Sequence, residues 1–264
     1  MSSLWRVAVR ATGDEAELRR AELLELSPRG IEEQPLADGL VELAVYVPAE
    51  RRESVTRRLA DATVTPVGAG WEHTWRAFHR PVEVGGLWLG PPWEVAPDPS
   101  RAIVIDPGQA FGTGAHPTTR LCVELLAETP ASGSLLDVGC GSGVLAIAGV
   151  RLGFDPVLAI DSDPVAVATT RANATANGVR LETAVLDALA DPLPATEVAV
   201  ANVLLAPVET ILVRLDAATV VTSGYLAGER PAHPGWAHVE AIERDGWAAD
   251  RFTRAERRSG QRSR

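Results

Sequence analysis

Two aspartates and three glycines stand at spacings that suit a nucleoside site. Asp137 lies two residues ahead of the loop Gly139-Cys140-Gly141-Ser142-Gly143, and Asp161 ends the next apolar run. Glycines let the backbone turn sharply and approach a ligand where a Cβ would collide. A carboxylate at the tip of a strand is placed to take both hydroxyls of a ribose. The spacing G-x-G-x-G differs from the dinucleotide fingerprint G-x-G-x-x-G. A pyrophosphate also favours helix N-terminal amides with no carboxylate nearby. An acid beside the loop suits a cationic or amine-bearing ligand instead. S-adenosylmethionine (SAM), with its ribose, amino group and sulfonium, fits both acids. Taken alone, a glycine loop is also compatible with a purely structural turn.

The elements that must hold these residues follow the same order. Leu135-Leu136 is a short apolar run, Val144–Leu152 is helix-like, and Val157–Ile160 is a second apolar run capped by Asp161. Strand, glycine loop, helix, strand and acid open a nucleotide-binding βαβ unit. An amphipathic helix over Val165–Asn177 stops at Asn177-Gly178. Leu181–Val185 is a third strand with Asp187 after it, either an adenine-side contact or an ordinary turn acid. Glu197–Ala201 is a fourth strand, and Asn202 stands at its C-terminal end, where parallel sheets bind ligands. A buried apolar strand has no need of an amide at its tip, which makes Asn202 a candidate. Val208–Leu215 reads as a helix, Thr219–Ser223 as a fifth strand and Gly224 as a turn. Ala237–Glu243 and Trp247–Thr253, around Arg244-Asp245-Gly246, read as an antiparallel hairpin at the sheet edge. The charged residues 255–264 are expected to be disordered.

Upstream lies a second glycine loop. An apolar strand from Ile103 ends at Asp106, and Phe111-Gly112-Thr113-Gly114 leads through His116-Pro117-Thr118-Thr119 into a helix, Arg120–Leu126. Proline suits a first helical turn and threonine its open amides. Phe111 and Thr113 are expected to cover a bound cofactor. His116 reads as a cap or core histidine more readily than as a base. Residues 69–100 crowd Trp71, Trp75, Phe78, Trp88 and Trp93 among prolines and glycines. They read as a linker packed onto the catalytic domain, a peptide-binding groove being the alternative. Residues 4–67 give strand, helix, strand, strand, helix, strand, the ferredoxin-like plan. The expected domains are therefore 1–68, 69–100 as linker and start of the catalytic domain, 101–254, and a tail 255–264.

Bulk composition narrows the class. The chain has 264 residues, 46% of them hydrophobic, and a formal net charge of −10. That allows one large or two modest domains and offers no basic run for nucleic acid. Two cysteines, Cys122 and Cys140, are too few for a disulfide framework or zinc site. There is no secretory pattern and no run of membrane-spanning length, so a reducing cytoplasm is the expectation. All 25 basic residues are arginine.

With those residues set out, the chain resembles the ribosomal protein methyltransferase family, which methylates ribosomal large-subunit protein eleven. The resembling stretches are A-F-G-T-G-A-H-P-T-T (Ala110–Thr119), D-V-G-C-G-S-G-V-L-A-I-A (Asp137–Ala148), I-D-S-D-P-V-A-V (Ile160–Val167) and V-A-N-V-L-L-A-P (Val200–Pro207). Gly70–His79, the P-P-W at Trp93 and the closing R-D-G-W are similar too. The resemblance implies an α/β fold: a Rossmann-like class I SAM-dependent methyltransferase domain on a seven-stranded, mostly parallel sheet. A small ferredoxin-like α+β domain for substrate recognition precedes it. It also implies SAM contacts at Thr119, Gly139, Asp161 and Asn202. Asp137, Gly141, Phe111, Thr113 and Asp187 join them on the local reading. The sequence departs from the family's usual pattern at Ala115, where Thr is usual, and in N-V-L-L for N-I-L-A; Asn202 is kept.

The implied reaction is in-line displacement at the sulfonium methyl by a neutral lysine or α-amino nitrogen. Asn202 would aim that amine with its side-chain carbonyl. The implied partner is the basic ribosomal protein, with no direct nucleic-acid or membrane contact, and a monomer is expected. A glutamine or base methyltransferase would carry N-P-P-Y at this tip; Val203 and Leu204 stand there instead. A methyltransferase for another protein, or a non-catalytic module retaining the fold, are the remaining alternatives.

Overall fold

In the computed structural model, the described residues are 4–26, 31–36, 39–59, 61–67, 80–106 and 116–255. They fall into two compact units, 4–67 and 80–106 with 116–255. In the first, alternating apolar residues make β1 (Leu4–Thr12) and β3 (Leu40–Pro48), joined by β2 (Glu32–Pro35) and β4 (Thr63–Pro66). The antiparallel order β2-β3-β1-β4 is the ferredoxin-like arrangement. Helices α1 (Gly13–Leu26) and α2 (Ala49–Arg58) supply Ala16, Leu23 and Val55 to a core with Val7, Val9, Leu43, Val45 and Val47. Every second strand residue faces that core, as the pleat requires.

The second unit is a doubly wound sheet. Its strands are β8 (Leu135–Val138), β9 (Val157–Asp161), β10 (Glu182–Val185), β11 (Thr196–Asn202), β12 (Ala217–Leu226), β13 (Trp236–Arg244) and β14 (Trp247–Arg254), in the order β10-β9-β8-β11-β12-β14-β13. The first five run parallel, and β14 is antiparallel to both of its neighbours. One face packs on α3 (Pro117–Glu128) and α4 (Val144–Leu152), with Ala174 of α5 (Pro164–Ala176). The other packs on α6 (Leu205–Arg214) through Val208, Ile211 and Leu212. Coverage on both faces explains why Leu135-Leu136 of β8 and Val198–Ala201 of β11 read as continuous apolar runs.

Two sequence expectations change in detail. Within the expected linker, β5 (Val82–Val84) and β6 (Leu87–Gly90) pair with β7 (Ala102–Val104) in a small separate sheet. Trp88 is buried there, and a Cβ on Gly90 would lie 2.3 Å from its ring, so this indole packs the interior. Trp71, Trp75, Phe78 and the tail from 256 lie outside the described residues. Gly224 is not a turn. It sits inside β12 at a bulge, where pairing shifts between Ser223 and Tyr225. A lone glycine in an apolar run signals either, and only the partner strand decides. The β13–β14 hairpin lies at the sheet edge as expected, with β13 outermost and β14, which carries the buried Ala248, Ala249 and Phe252, between β12 and β13.

The β12–β14 junction encloses the Asp250 carboxyl group. Asp250 is 1% exposed and receives Tyr225 OH at 2.9 Å, Arg230 Nε at 2.8 Å and His238 Nε2 at 2.7 Å. Replacing Asp250 by alanine removes the common acceptor of three donors. Stability is expected to fall by about 2 kcal/mol, read as a lower urea midpoint with unchanged slope.

Candidate cofactor and methyl-transfer site

The C-terminal ends of β8, β9 and β11 converge, and the singled-out residues sit on them. Chain chemistry dictates the glycine loop first. Gly139, Gly141 and Gly143 adopt φ of 74°, 52° and 81°, a region open to glycine at little cost. The amides of Gly139 and Cys140 both donate to Ile160 O, at 2.9 and 3.0 Å, which hooks the loop onto β9. Gly143 is the N-cap of α4 and lies against Thr170, where a Cβ would meet Thr170 Cγ2 at 2.7 Å.

Asp161 closes the other side. Its Oδ2 accepts from Gly141 N at 3.0 Å and its Oδ1 from Asp163 N at 2.9 Å. Each carboxylate oxygen has a further lone pair for a ligand hydroxyl. Asp137 is differently employed. It is 1% exposed, and its Oδ2 accepts from Ala146 N at 2.9 Å, in the first turn of α4. It therefore anchors the helix beneath the loop.

Burial pushes the Asp137 carboxyl up to about 7; the Ala146 amide opposes the rise and the nearby Asp161 charge adds to it. Its folded pKa thus lies above the unfolded value of 3.8. Between the two, the folded state holds more protons, so this group's contribution to stability falls as pH climbs from about 4 to about 7 and is level above. Asp137→Asn should remove that slope, at about 1.4 kcal/mol per pH unit in the window. Urea melts of both proteins at several pH values check it: the stability advantage of Asn over Asp should widen from pH 4 to pH 7.

On the fourth strand, Asn202 Nδ2 faces Thr119 Oγ1 at 3.5 Å, and Thr119 is 1% exposed in the first turn of α3. The structure thus brings together two candidates that lie far apart in the chain. His116 is the N-cap of α3: Nδ1 accepts from Thr118 N at 3.4 Å and meets Thr118 Oγ1 at 2.8 Å, while the ring packs edge-on against Trp247. That agrees with its reading as a cap. Asp187 is exposed, and its Oδ1 accepts from Leu189 N at 2.9 Å, shaping the turn after β10. Phe111 and Thr113 lie outside the described residues. Burial raises both thiols, Cys140 to about 12 and Cys122 further, so neither serves as a nucleophile at neutral pH.

The sequence reading missed the support under the loop. Thr170 Oγ1 donates to Gly141 O at 3.1 Å and Asn173 Nδ2 to Ser142 O at 2.8 Å. Two buried polar residues three apart on α5 were the available signal, since such a pair shares one helix face.

Residues 42–254 match the family model described as Ribosomal protein L11 methyltransferase (PrmA). A curated ribosomal protein L11 methyltransferase of Pseudomonas paraeruginosa is 37% identical over 243 residues, 86% of this chain and 79% of that protein. One from Marinobacter nauticus is 40% identical over 186 residues, 66% of this chain and 62% of its own length, and one from Azotobacter vinelandii is matched over 65% of its length. The crystal structure of a ribosomal protein L11 methylase from Lactobacillus delbrueckii subsp. bulgaricus superposes with a TM-score of 0.57 at 28% identity. It covers 64% of this chain and 94% of that one.

Proposed function

We propose, from the premise that this chain belongs to the ribosomal protein L11 methyltransferase family, that it transfers methyl groups from SAM to amino groups of ribosomal protein L11 in the cytoplasm. The observation that carries the reading is the Asn202–Thr119 contact beside the glycine loop and Asp161. A ribose-binding acid and an amine-aiming amide then share one sheet end.

The residues suit the cofactor. Gly139 and Gly141 give a backbone with no side chain in the way, and Asp161 keeps acceptor capacity on both oxygens. SAM, when bound, supplies a methyl already activated on a positively charged sulfur. The chain's share is then positioning and desolvation. Asn202 uses an N–H toward Thr119 and offers Oδ1 to an N–H of the incoming amine, which fixes the direction of the nitrogen lone pair. A lysine amine is protonated in water at pH 7, so it must lose that proton before attack. In this reading the proton passes to water, and His116 keeps its Nδ1 at the helix cap. Asp161 and the glycine loop would hold the cofactor and Asn202 would hold the deprotonated nitrogen in line with the methyl that SAM would supply.

Tritiated-methyl transfer tests the reading. Purified protein, labelled SAM and a mixture of bacterial ribosomal proteins should yield label in L11. Label in another protein moves the substrate. SAM binding without transfer, or no binding, leaves a module that only keeps the fold. Among the described residues, no helix is long and apolar enough to cross a membrane.

A further inference from the structure

Asn202 is followed by a turn that is pressed from two sides. Val203 N donates to Ser223 O at 3.1 Å, which lays the turn on β12. Beneath it is Gly224, with φ of 103°. A Cβ there would fall 2.2 Å from Val203 O, 2.6 Å from its carbonyl carbon and 3.0 Å from its nitrogen. From the glycine loop, a Cβ on Gly139 would fall 2.8 Å from Val203 Cγ1. Val203 is therefore seated against two glycines, one in the β12 bulge and one in the loop after β8.

The bulge has its own anchor. Pairing passes from Ser223↔Ala249 to Tyr225↔Ala248, so Gly224 has no partner across the ladder. The extra residue sets Tyr225 on the same side of β12 as Thr222, and its hydroxyl lies 2.8 Å from Thr222 Oγ1 and 2.9 Å from Asp250 Oδ2. Tyr225 is 2% exposed. The hydroxyl thus ties the strand just past the bulge to a buried carboxylate on β14.

We infer that the Gly224 bulge, pinned through Tyr225 to Asp250, is a positioning device for Asn202. It sets how low Val203 sits over the glycine loop, and so where the neighbouring amide points. The Asn202–Thr119 separation of 3.5 Å is already at the limit of a hydrogen bond. A side chain at 224 would drive the Val203 carbonyl from 2.2 Å out to ordinary contact beyond 3.4 Å, a retreat of about an ångström. Misplacement on that scale is enough to cost about 10²-fold in rate. Gly224 and Tyr225 are positioning residues; Asn202 is the group that meets the amine. The kinetic side of this inference rests on the methyl-transfer reading above, and the positional side does not.

Gly224→Ala and Tyr225→Phe, alone and combined with Asn202→Ala, test both sides. Gly224→Ala is expected to lower kcat about 10²-fold and Tyr225→Phe roughly fivefold. Affinity for S-adenosylhomocysteine by calorimetry should fall by no more than a few-fold, far less than kcat, since Asp161 and its tie to Gly141 are untouched. The Asn202 side-chain amide resonance, identified by its loss in Asn202→Ala, should move in both variants. In the Asn202→Ala background neither change should slow transfer further. A Gly224→Ala protein at the wild-type rate, an unmoved Asn202 resonance, or losses that multiply fully with Asn202→Ala would each overturn the inference. Should Gly224→Ala not fold, Tyr225→Phe removes only one hydroxyl and decides by the same readings. Should the wild-type protein transfer no methyl, the functional reading fails, and the Asn202 resonance alone decides the positional one.

Discussion

Replacing Asn202 by alanine is expected to lower kcat for methyl transfer about 10²-fold while leaving SAM affinity within a few-fold. The size follows from the role proposed for the side chain. Asn202 is the polar tip of an apolar strand, held toward Thr119 across the sheet end. Without its carbonyl, the acceptor amine has no fixed acceptor for its N–H, and its lone pair samples directions that miss the methyl. Asn202→Asp separates geometry from charge: it retains an acceptor of the same shape but gives Thr119 nothing to receive. Steady-state kinetics with labelled SAM measure both. Wild-type kcat in Asn202→Ala would sink the amine-aiming role and leave the amide as a strand-end cap.

Asp161→Ala is expected to weaken SAM binding by two orders of magnitude or more, at about 1.5–3 kcal/mol for each of two hydrogen bonds to a charged group. A second loss compounds it. Gly141 N would lose its acceptor, and with it one tie between the glycine loop and β9. Asp161→Asn keeps one carbonyl oxygen and should fall between. Calorimetry with S-adenosylhomocysteine reads the effect directly. With saturating cofactor, kcat should recover toward wild type if Asp161 holds the ribose as proposed. Affinity unchanged in Asp161→Ala would remove it from the ribose.

The parts of the site made by neighbours in the chain were legible beforehand. Asp137 through Gly143 and Asp161 are local: turn, helix start and strand end are written in adjacent residues. Asn202 stood out because an amide at the tip of V-A-V-A has no packing reason. Its approach to Thr119 is a long-range pairing, and no periodicity in α3 or β11 reports it; the family resemblance alone put them in one site. Asp137 was expected to face a cationic ligand, and its carboxylate is instead engaged with Ala146 N under the loop. Asp187 kept two meanings in the sequence, and its bond to Leu189 N gives the turn meaning a physical basis. Gly224 was read as a turn because a bulge exists only relative to its partner strand. Asp250, one acid in W-A-A-D-R-F, gave no sign that three donors from β12, β13 and the loop before it converge on it.

The insertion of β14 between β12 and β13 also sets an order of assembly. β12 presents an open row of backbone groups until the last strand of the unit is available, because its partner on that side is residues 247–254. During synthesis, which runs from the N-terminus, the parallel strands emerge first and wait. A chain cut short before Trp247 would keep β8 to β12 with a bare interior edge, which is a template for pairing with other chains. The closing hairpin is local and quick to form, and its docking completes the sheet. Loss of the final strand would therefore show itself as aggregation rather than as a soluble, slightly weakened enzyme.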